Sequence, residues 1–226
     1  MDIRSRYLDA LGIEQWVARG HLAPALPVPA AQGPPQPDPA WTALEAEVAA
    51  CTKCPLHAGR TRTVFGVGDR RAGWMVIGEA PGAEEDRRGE PFVGRAGQLL
   101  NAMLRAIGLA REQVFIANIL KCRPPNNRDP ERTEVACCLP YLERQIALLQ
   151  PRILLAVGRI AAQNLLATDT PIGRLRGQVH RFGAAGTPLV VTYHPAYLLR
   201  SPGEKAKAWD DLKLARRVFR DVAGTS

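Results

Sequence analysis

Cys51, Cys54, Cys122, Cys137 and Cys138 are the five cysteines of this 226-residue chain. The first two form a CxxC; 67 residues then separate Cys54 from Cys122, and 15 separate Cys122 from Cys138. Four thiolates can surround a metal ion or a cubane iron–sulfur cluster. The wide gap is not a zinc-ribbon spacing, so spacing alone leaves two readings open: a metal or cluster site, or buried structural thiols with a redox CxxC.

A second set of reactive side chains stands at the ends of apolar runs. Glu79 follows one such run and is itself followed by Pro81 and Gly82, in a turn tight enough to bring backbone N–H groups beside a ligand. A carboxylate there can orient a water molecule and offset positive charge. Asn118 ends a second run and offers both an amide donor and a carbonyl acceptor. His194 ends a fourth and is held by Pro195. Phe92, between Pro91 and Gly94, is an aromatic in a loop rather than in a periodic core run, with a flat face suited to a flat ligand. Glu84, Glu85 and Asp86 are either further acids of the same site or the solvated first turn of a helix. Arg174 and Arg176, flanked by Gly173 and Gly177, could bring guanidinium groups to phosphates, and no GK[ST] follows to make a nucleoside-triphosphate loop. Lys205, Lys207, Lys213, Arg216 and Arg217 read as the wet face of a helix.

The elements that must hold these residues are legible in outline. Runs at 74–77, 114–120, 153–157 and 189–193 are short, apolar and strand-like, and helical spacing of three and four fills 98–107, 131–149 and 159–166. Strands separated by helices imply an α/β fold whose parallel sheet carries helices on both faces. Ligands of such folds bind beyond the carboxyl ends of the strands. The N-terminal stretch 1–20 reads as a short amphipathic helical appendage. The stretch 21–40 holds seven prolines and reads as a linker, leaving one domain over 41–226.

Composition narrows the class of partner. With 46% hydrophobic and 23% charged residues the chain is not disordered throughout, and no apolar stretch reaches the 18 residues of a membrane span. The net charge of +8 divides into −1 on residues 1–40 and +9 on the rest, so the main body favours an anionic partner, with nucleic acid first. The opening MDIRSRYLDALG carries charges where a signal peptide needs an apolar core, so a cytoplasmic chain with reduced thiols or metal ligands is expected.

Four separated motifs, GEAPGAEED at 78–86, EPFVGRAGQLL at 90–100, NILKCRPPNNRDP at 118–130 and HPAYLLR at 194–200, resemble those of the family 4 uracil-DNA glycosylases, the iron–sulfur type. The resemblance implies a three-layer α/β/α domain with a central, mostly parallel four-stranded sheet. It implies a monomeric enzyme that flips deoxyuridine out of DNA and hydrolyses its N-glycosidic bond, starting base excision repair. It implies catalytic Glu79, Glu85 and His194, with Ala80, Phe92, Asn118 and His194 around uracil. Leu198 becomes the expected wedge, beside DNA contacts from Arg174, Arg176 and Arg200. It further implies a [4Fe–4S] cluster on Cys51, Cys54, Cys122 and Cys138, where the CxPYL pattern favours Cys138 over Cys137. Lys121, Arg123 and Arg128 are then expected on a DNA-facing loop beside the cluster. The alternatives are a relative that attaches covalently to DNA through a loop histidine, whose position is Asn127 here, and a non-catalytic DNA-binding module recruited to a protein partner through its N-terminal arm.

Overall fold

A computed structural model describes residues 38–223. The expected appendage 1–20, and the expected linker as far as residue 37, lie outside them. Helix α1 (Pro39–Ala49) opens at Asp38, whose carboxylate accepts the backbone N–H of Ala40 at 2.8 Å, with Pro39 in the first turn where a missing N–H does no harm. Among the described residues, this first helix therefore starts two residues before position 41.

The chain continues through β1 (Val67–Gly68), β2 (Trp74–Gly78), α2 (Ala83–Arg88), α3 (Arg95–Ala106), β3 (Phe115–Asn118), α4 (Arg132–Leu149) and β4 (Ile153–Val157). It ends with α5 (Arg159–Leu165), α6 (Ile172–Leu175), β5 (Val179–Phe182), β6 (Thr187–Thr192), α7 (Pro195–Arg200) and α8 (Lys205–Ala223). The sheet runs β1-β3-β2-β4-β6-β5. Its four inner strands are the four apolar runs, and they pair in parallel. The two edge strands are antiparallel additions that the apolar pattern does not signal. β1 has only two residues, one of them glycine, and β5 reads VHRF with no buried residue.

Side chains of the inner strands alternate between two cores. Met75, Ile77, Leu154 and Ala156 share one core with Trp41, Leu44 and Val48 of α1 and with Val135, Leu142 and Ile146 of α4. Trp74, Val76, Leu155 and Val157 share the other with Leu100, Met103 and Leu104 of α3 and with Ala208, Leu212 and Ala215 of α8. Burial on both faces explains why these strands are unbroken apolar runs. The result is three layers.

From β2 the chain crosses to β3 on one side, then returns past β2 to β4 and moves on to β6. Such a reversal opens a crevice at the carboxyl ends of the strands. Gly78 pairs with Asn118, and Val157 with Thr192. Glu79, Asn118, Gly158 and His194 therefore leave the sheet along one edge.

Candidate functional site

A cavity of about 780 Å³ occupies that crevice. Glu79, Ala80, Glu85, Phe92, Asn118, His194 and Arg200, gathered from three distant stretches of chain, all line it. Arg174, Arg176 and Leu198 are not among its lining residues.

Two rings, of Phe92 and His194, bound a slot within the cavity. Phe92 is buried, its ring centroid lies 5.6 Å from that of His194 at an interplanar angle of 30°, and its backbone holds the left-handed φ of 54°. That conformation costs a non-glycine residue roughly 1–3 kcal/mol and persists only where the surroundings impose it. Here Glu85 Oε1 accepts the N–H groups of Val93 and Gly94 at 2.9 and 3.2 Å, while Arg111 donates to the carbonyls of Pro91 at 2.6 Å and Phe92 at 3.4 Å. Glu85 thus fixes the loop that carries the aromatic ring. Arg111, which sequence reasoning did not single out, fixes it from the other side.

Gly78 makes room for the slot. A Cβ there would lie 2.6 Å from Phe92 Cζ and would collide with Asn118 Oδ1. Gly78→Ala is accordingly expected to displace the ring or the amide and to lower kcat/KM by about 10²-fold, the usual consequence of a misplacement near 1 Å. Steady-state kinetics alongside a thermal melt would show activity falling further than stability.

Asn118 is 2% exposed, and its Oδ1 has no hydrogen-bond partner in the structure. An orphaned buried acceptor costs about 1–3 kcal/mol, which a ligand N–H entering the cavity would recover. His194 caps α7: its Nδ1 accepts the N–H of Ala196 at 3.1 Å. The ring proton of the neutral imidazole therefore sits on Nε2, leaving that nitrogen as a donor. Burial above all, with the Arg200 charge beside it, pushes His194 down to about 4 against an opposing pull from Glu85. It is a neutral donor at physiological pH. Burial, with the charge of Asp129 added, pushes Glu79 up to about 7, and Arg159 opposes the rise. Asp129 and Arg159 form an ion pair at 2.5 Å. The slot thus offers an aromatic face, a buried acceptor, a neutral imidazole donor and a carboxylate poised to exchange a proton near neutrality.

Several expectations change. Leu198 is 1% exposed and belongs to the core shared with α3 and α8, so it cannot serve as a wedge; its neighbours Tyr197 and Leu199 are each 36% exposed. Helical geometry turns one leucine of the pair inward and leaves the other in water. Arg176 donates to buried Asp211 at 2.9 Å through Nε, while Asp211 also accepts the N–H of Gly177. Arg176 therefore pins the 173–177 loop from inside, while Arg174 stays exposed. Asp86 is not a solvated helix-end acid, because its carboxylate is buried and accepts the N–H groups of Thr61 and Arg62. Glu84, by contrast, is solvated and pairs with Arg87.

Lys121 departs most from expectation. It does not face outward but is 1% exposed, with Nζ donating to the Asn118 carbonyl at 2.8 Å and to Gln145 Oε1 at 2.7 Å. Burial brings its ammonium down to about 8. Arg128 is likewise tied, forking onto Glu134 at 2.6 and 2.9 Å, and the half-buried Arg123 donates through Nε to Asn127 Oδ1 at 2.8 Å.

All five cysteines line a second cavity, together with Arg60, Lys121 and Tyr141. Among the described residues no group of three or more His, Cys, Asp and Glu side chains stands ready-made to hold a metal ion. The donor chemistry is nevertheless that of a thiolate site. Arg60 donates to Cys122 Sγ at 3.3 Å, and the Lys121 N–H donates to Cys138 Sγ at 3.2 Å. Burial pushes the thiols of Cys54 and Cys122 up, and that of Cys138 to about 11. Cys137 instead points its thiol at the Lys53 carbonyl, 3.3 Å away.

Asn127, Gly158, Arg159, Tyr193 and Tyr197 also line the first cavity. The strand ends at Val157 and Tyr193 marked their neighbourhood, but no residue-level signal distinguished Arg159 or Tyr193. Gly158 has φ 101°, and a Cβ there would come within 3.0 Å of the His194 side chain.

Residues 65–213 match the family model described as the uracil DNA glycosylase superfamily. The chain is 46% identical over 170 residues to a type-4 uracil-DNA glycosylase of Pyrobaculum aerophilum, covering 73% of this chain and 87% of that protein. Its identity to a type-4 uracil-DNA glycosylase of Archaeoglobus fulgidus is 46% over 173 residues, covering 74% and 87%. A type-4 uracil-DNA glycosylase of Thermotoga maritima is 43% identical over 173 residues, covering 75% and 90%.

Proposed function

The chain belongs to the uracil DNA glycosylase superfamily, and from that premise we propose that it excises uracil from DNA by hydrolysing the N-glycosidic bond of an extruded deoxyuridine. The observation that carries this reading is the unpaired, buried Oδ1 of Asn118 in the slot beneath Phe92. Uracil presents an N3–H to such an acceptor, whereas cytosine presents a bare lone pair at N3 and would leave the amide mispaired.

The uracil ring enters the slot against the face of Phe92, and the Asn118 amide reads its N3–H and O4. Glu79, in its ionised form, orients the attacking water and offsets the positive charge that grows on the sugar as the bond breaks. The Nε2–H of His194 faces uracil O2, where negative charge accumulates; a neutral donor fixed in place stabilises that charge without reorganising. Glu85 acts one step back, by holding the Phe92 loop. Arg200 and Arg174 face the phosphates, and the exposed Leu199 takes the place of Leu198 as the apolar wedge that fills the vacated stack. Asn127 lines the cavity with an amide that lacks the nucleophilic lone pair a covalent attachment to DNA requires.

Cys51, Cys54, Cys122 and Cys138 would hold a [4Fe–4S] cluster, which supplies a rigid tie between the segment before the sheet, the loop after β3 and helix α4. Serine in place of any one of these four is expected to lower iron content and visible absorbance and to lower the melting temperature, while Cys137→Ser keeps all three near the parental values. Loss of iron from Cys137→Ser with retention in Cys138→Ser would reverse the assignment.

An oligonucleotide with one uracil tests the activity. Purified protein is expected to give an alkali-labile site at the uracil and none at cytosine or thymine. Intact substrate after prolonged incubation with iron-replete protein would overturn the reading.

A further inference from the structure

We propose that Tyr197, backed by Tyr193, forms a second base-binding surface in the same cavity, which takes the nucleobase adjacent to the uracil on the same strand. This inference rests on the glycosylase reading and extends it from one base to two.

A uracil in the Asn118 slot would take up only part of the cavity. A pyrimidine has eight heavy atoms, so even at the ~30 Å³ a water molecule takes in the liquid it needs no more than about 240 Å³. The cavity measures about 780 Å³, which leaves room for the sugar and for a further group. Ile160, Ile172, Tyr193 and Tyr197 are among its other lining residues, beside Asn127 and Arg159. Together they offer apolar and aromatic surface with an amide and a cation, and none of them is a carboxylate.

The two tyrosines form a built platform. Their ring centroids are 5.0 Å apart at an interplanar angle of 47°. Tyr193 is held by a cation: the Arg176 guanidinium lies 4.8 Å from its ring centroid. Arg176 is in turn fixed by the fully buried Asp211 and by the carbonyl of Lys207. A clamped aromatic pays no ordering cost when a base arrives. Tyr197 stands in front with 36% of its surface in water, a large exposure for an aromatic that has a core beside it. Arg200, three residues on, lies on the same side of α7 and lines the same cavity. An exposed aromatic face next to a guanidinium is the arrangement that binds unpaired nucleotides, by stacking on the base and by charge on the phosphate. Extruding uracil unstacks its neighbour on one side, and Tyr197 offers that neighbour a new surface.

The test is a double cycle on single-stranded DNA. Uracil is flanked by normal bases, or by a tetrahydrofuran abasic residue on the 5′ or the 3′ side, and kcat/KM is measured for the parent, Tyr197→Ala and Tyr197→Phe. In the parent, deleting the base on one side is expected to lower kcat/KM by about 5- to 150-fold, the range of base–aromatic stacking. Tyr197→Ala is expected to lose a similar factor on the intact strand and to become insensitive to the deletion, and Tyr197→Phe to keep the parental ratio. The ratio between substrates does not depend on the fraction of enzyme folded. Equal sensitivity in Tyr197→Ala and the parent, or no sensitivity in the parent, would overturn the proposal. Failure of the parent to excise uracil from any of the strands would instead remove the glycosylase reading beneath it.

Discussion

Glu79→Gln is expected to lower kcat for uracil excision by about 10²–10⁴-fold, the range for a positioned acid or base, and at the same time to make the protein more stable above neutral pH. Burial raises the Glu79 carboxyl to about 7, so the ionised form that orients water is the form the site disfavours. The parental kcat/KM should therefore fall tenfold per pH unit below about 7, and the glutamine variant should lack this limb. Stability carries the opposite sign. Below the ordinary carboxylate range Glu79 is protonated in both folded and unfolded chains, and glutamine mimics it at no gain. As pH rises towards about 7 the unfolded chain ionises first and the parent loses stability; beyond that the loss is complete. The variant is spared a penalty of up to about 3 kcal/mol, less whatever solvent relieves on the exposed side of the carboxylate. Chemical denaturation of both proteins at pH 4 and pH 8 measures this, with the stability difference expected only at pH 8.

His194→Ala is expected to cost about 10²–10³-fold in kcat, the value of one fixed donor at a developing anion. Because burial and Arg200 bring His194 to about 4, the parental imidazole is neutral throughout the range in which Glu79 titrates. The alanine variant should consequently keep the pH limb near 7 and lose only height. A variant whose limb shifted instead would make His194, not Glu79, the titrating group. Removal of the cap on Ala196 also loosens α7, so a melt on the same preparation separates lost chemistry from lost fold.

The inner sheet and the converging residues were legible because burial on both faces forces apolar runs, and because Glu79, Asn118 and His194 each sit where a run stops. Short apolar pattern carries no signal for edges, which is why β1 and β5 stayed hidden. The direction in which a side chain points was the harder matter. Leu198 and Leu199 are chemically identical neighbours, and only the docking of α7 against α3 decides which one is buried. Lys121 and Arg176 read as surface cations in a basic chain, yet each spends its charge inside, on carbonyls around Asn118 or on Asp211. A partner 24 or 35 residues away in sequence leaves no trace in local composition. Glu85 was legible as an acid of the site, but its bond to the loop that carries Phe92 required coordinates.

One slot that accepts a single everted pyrimidine is central to the proposed activity. A crystal structure of Glu79→Gln bound to uracil-containing DNA tests this most directly. It is expected to show the uracil ring out of the helix and against Phe92, with N3–H on Asn118 Oδ1 and O2 within hydrogen-bond reach of His194 Nε2. Uracil still stacked in the DNA, or everted elsewhere with Asn118 Oδ1 left unpaired, would contradict it.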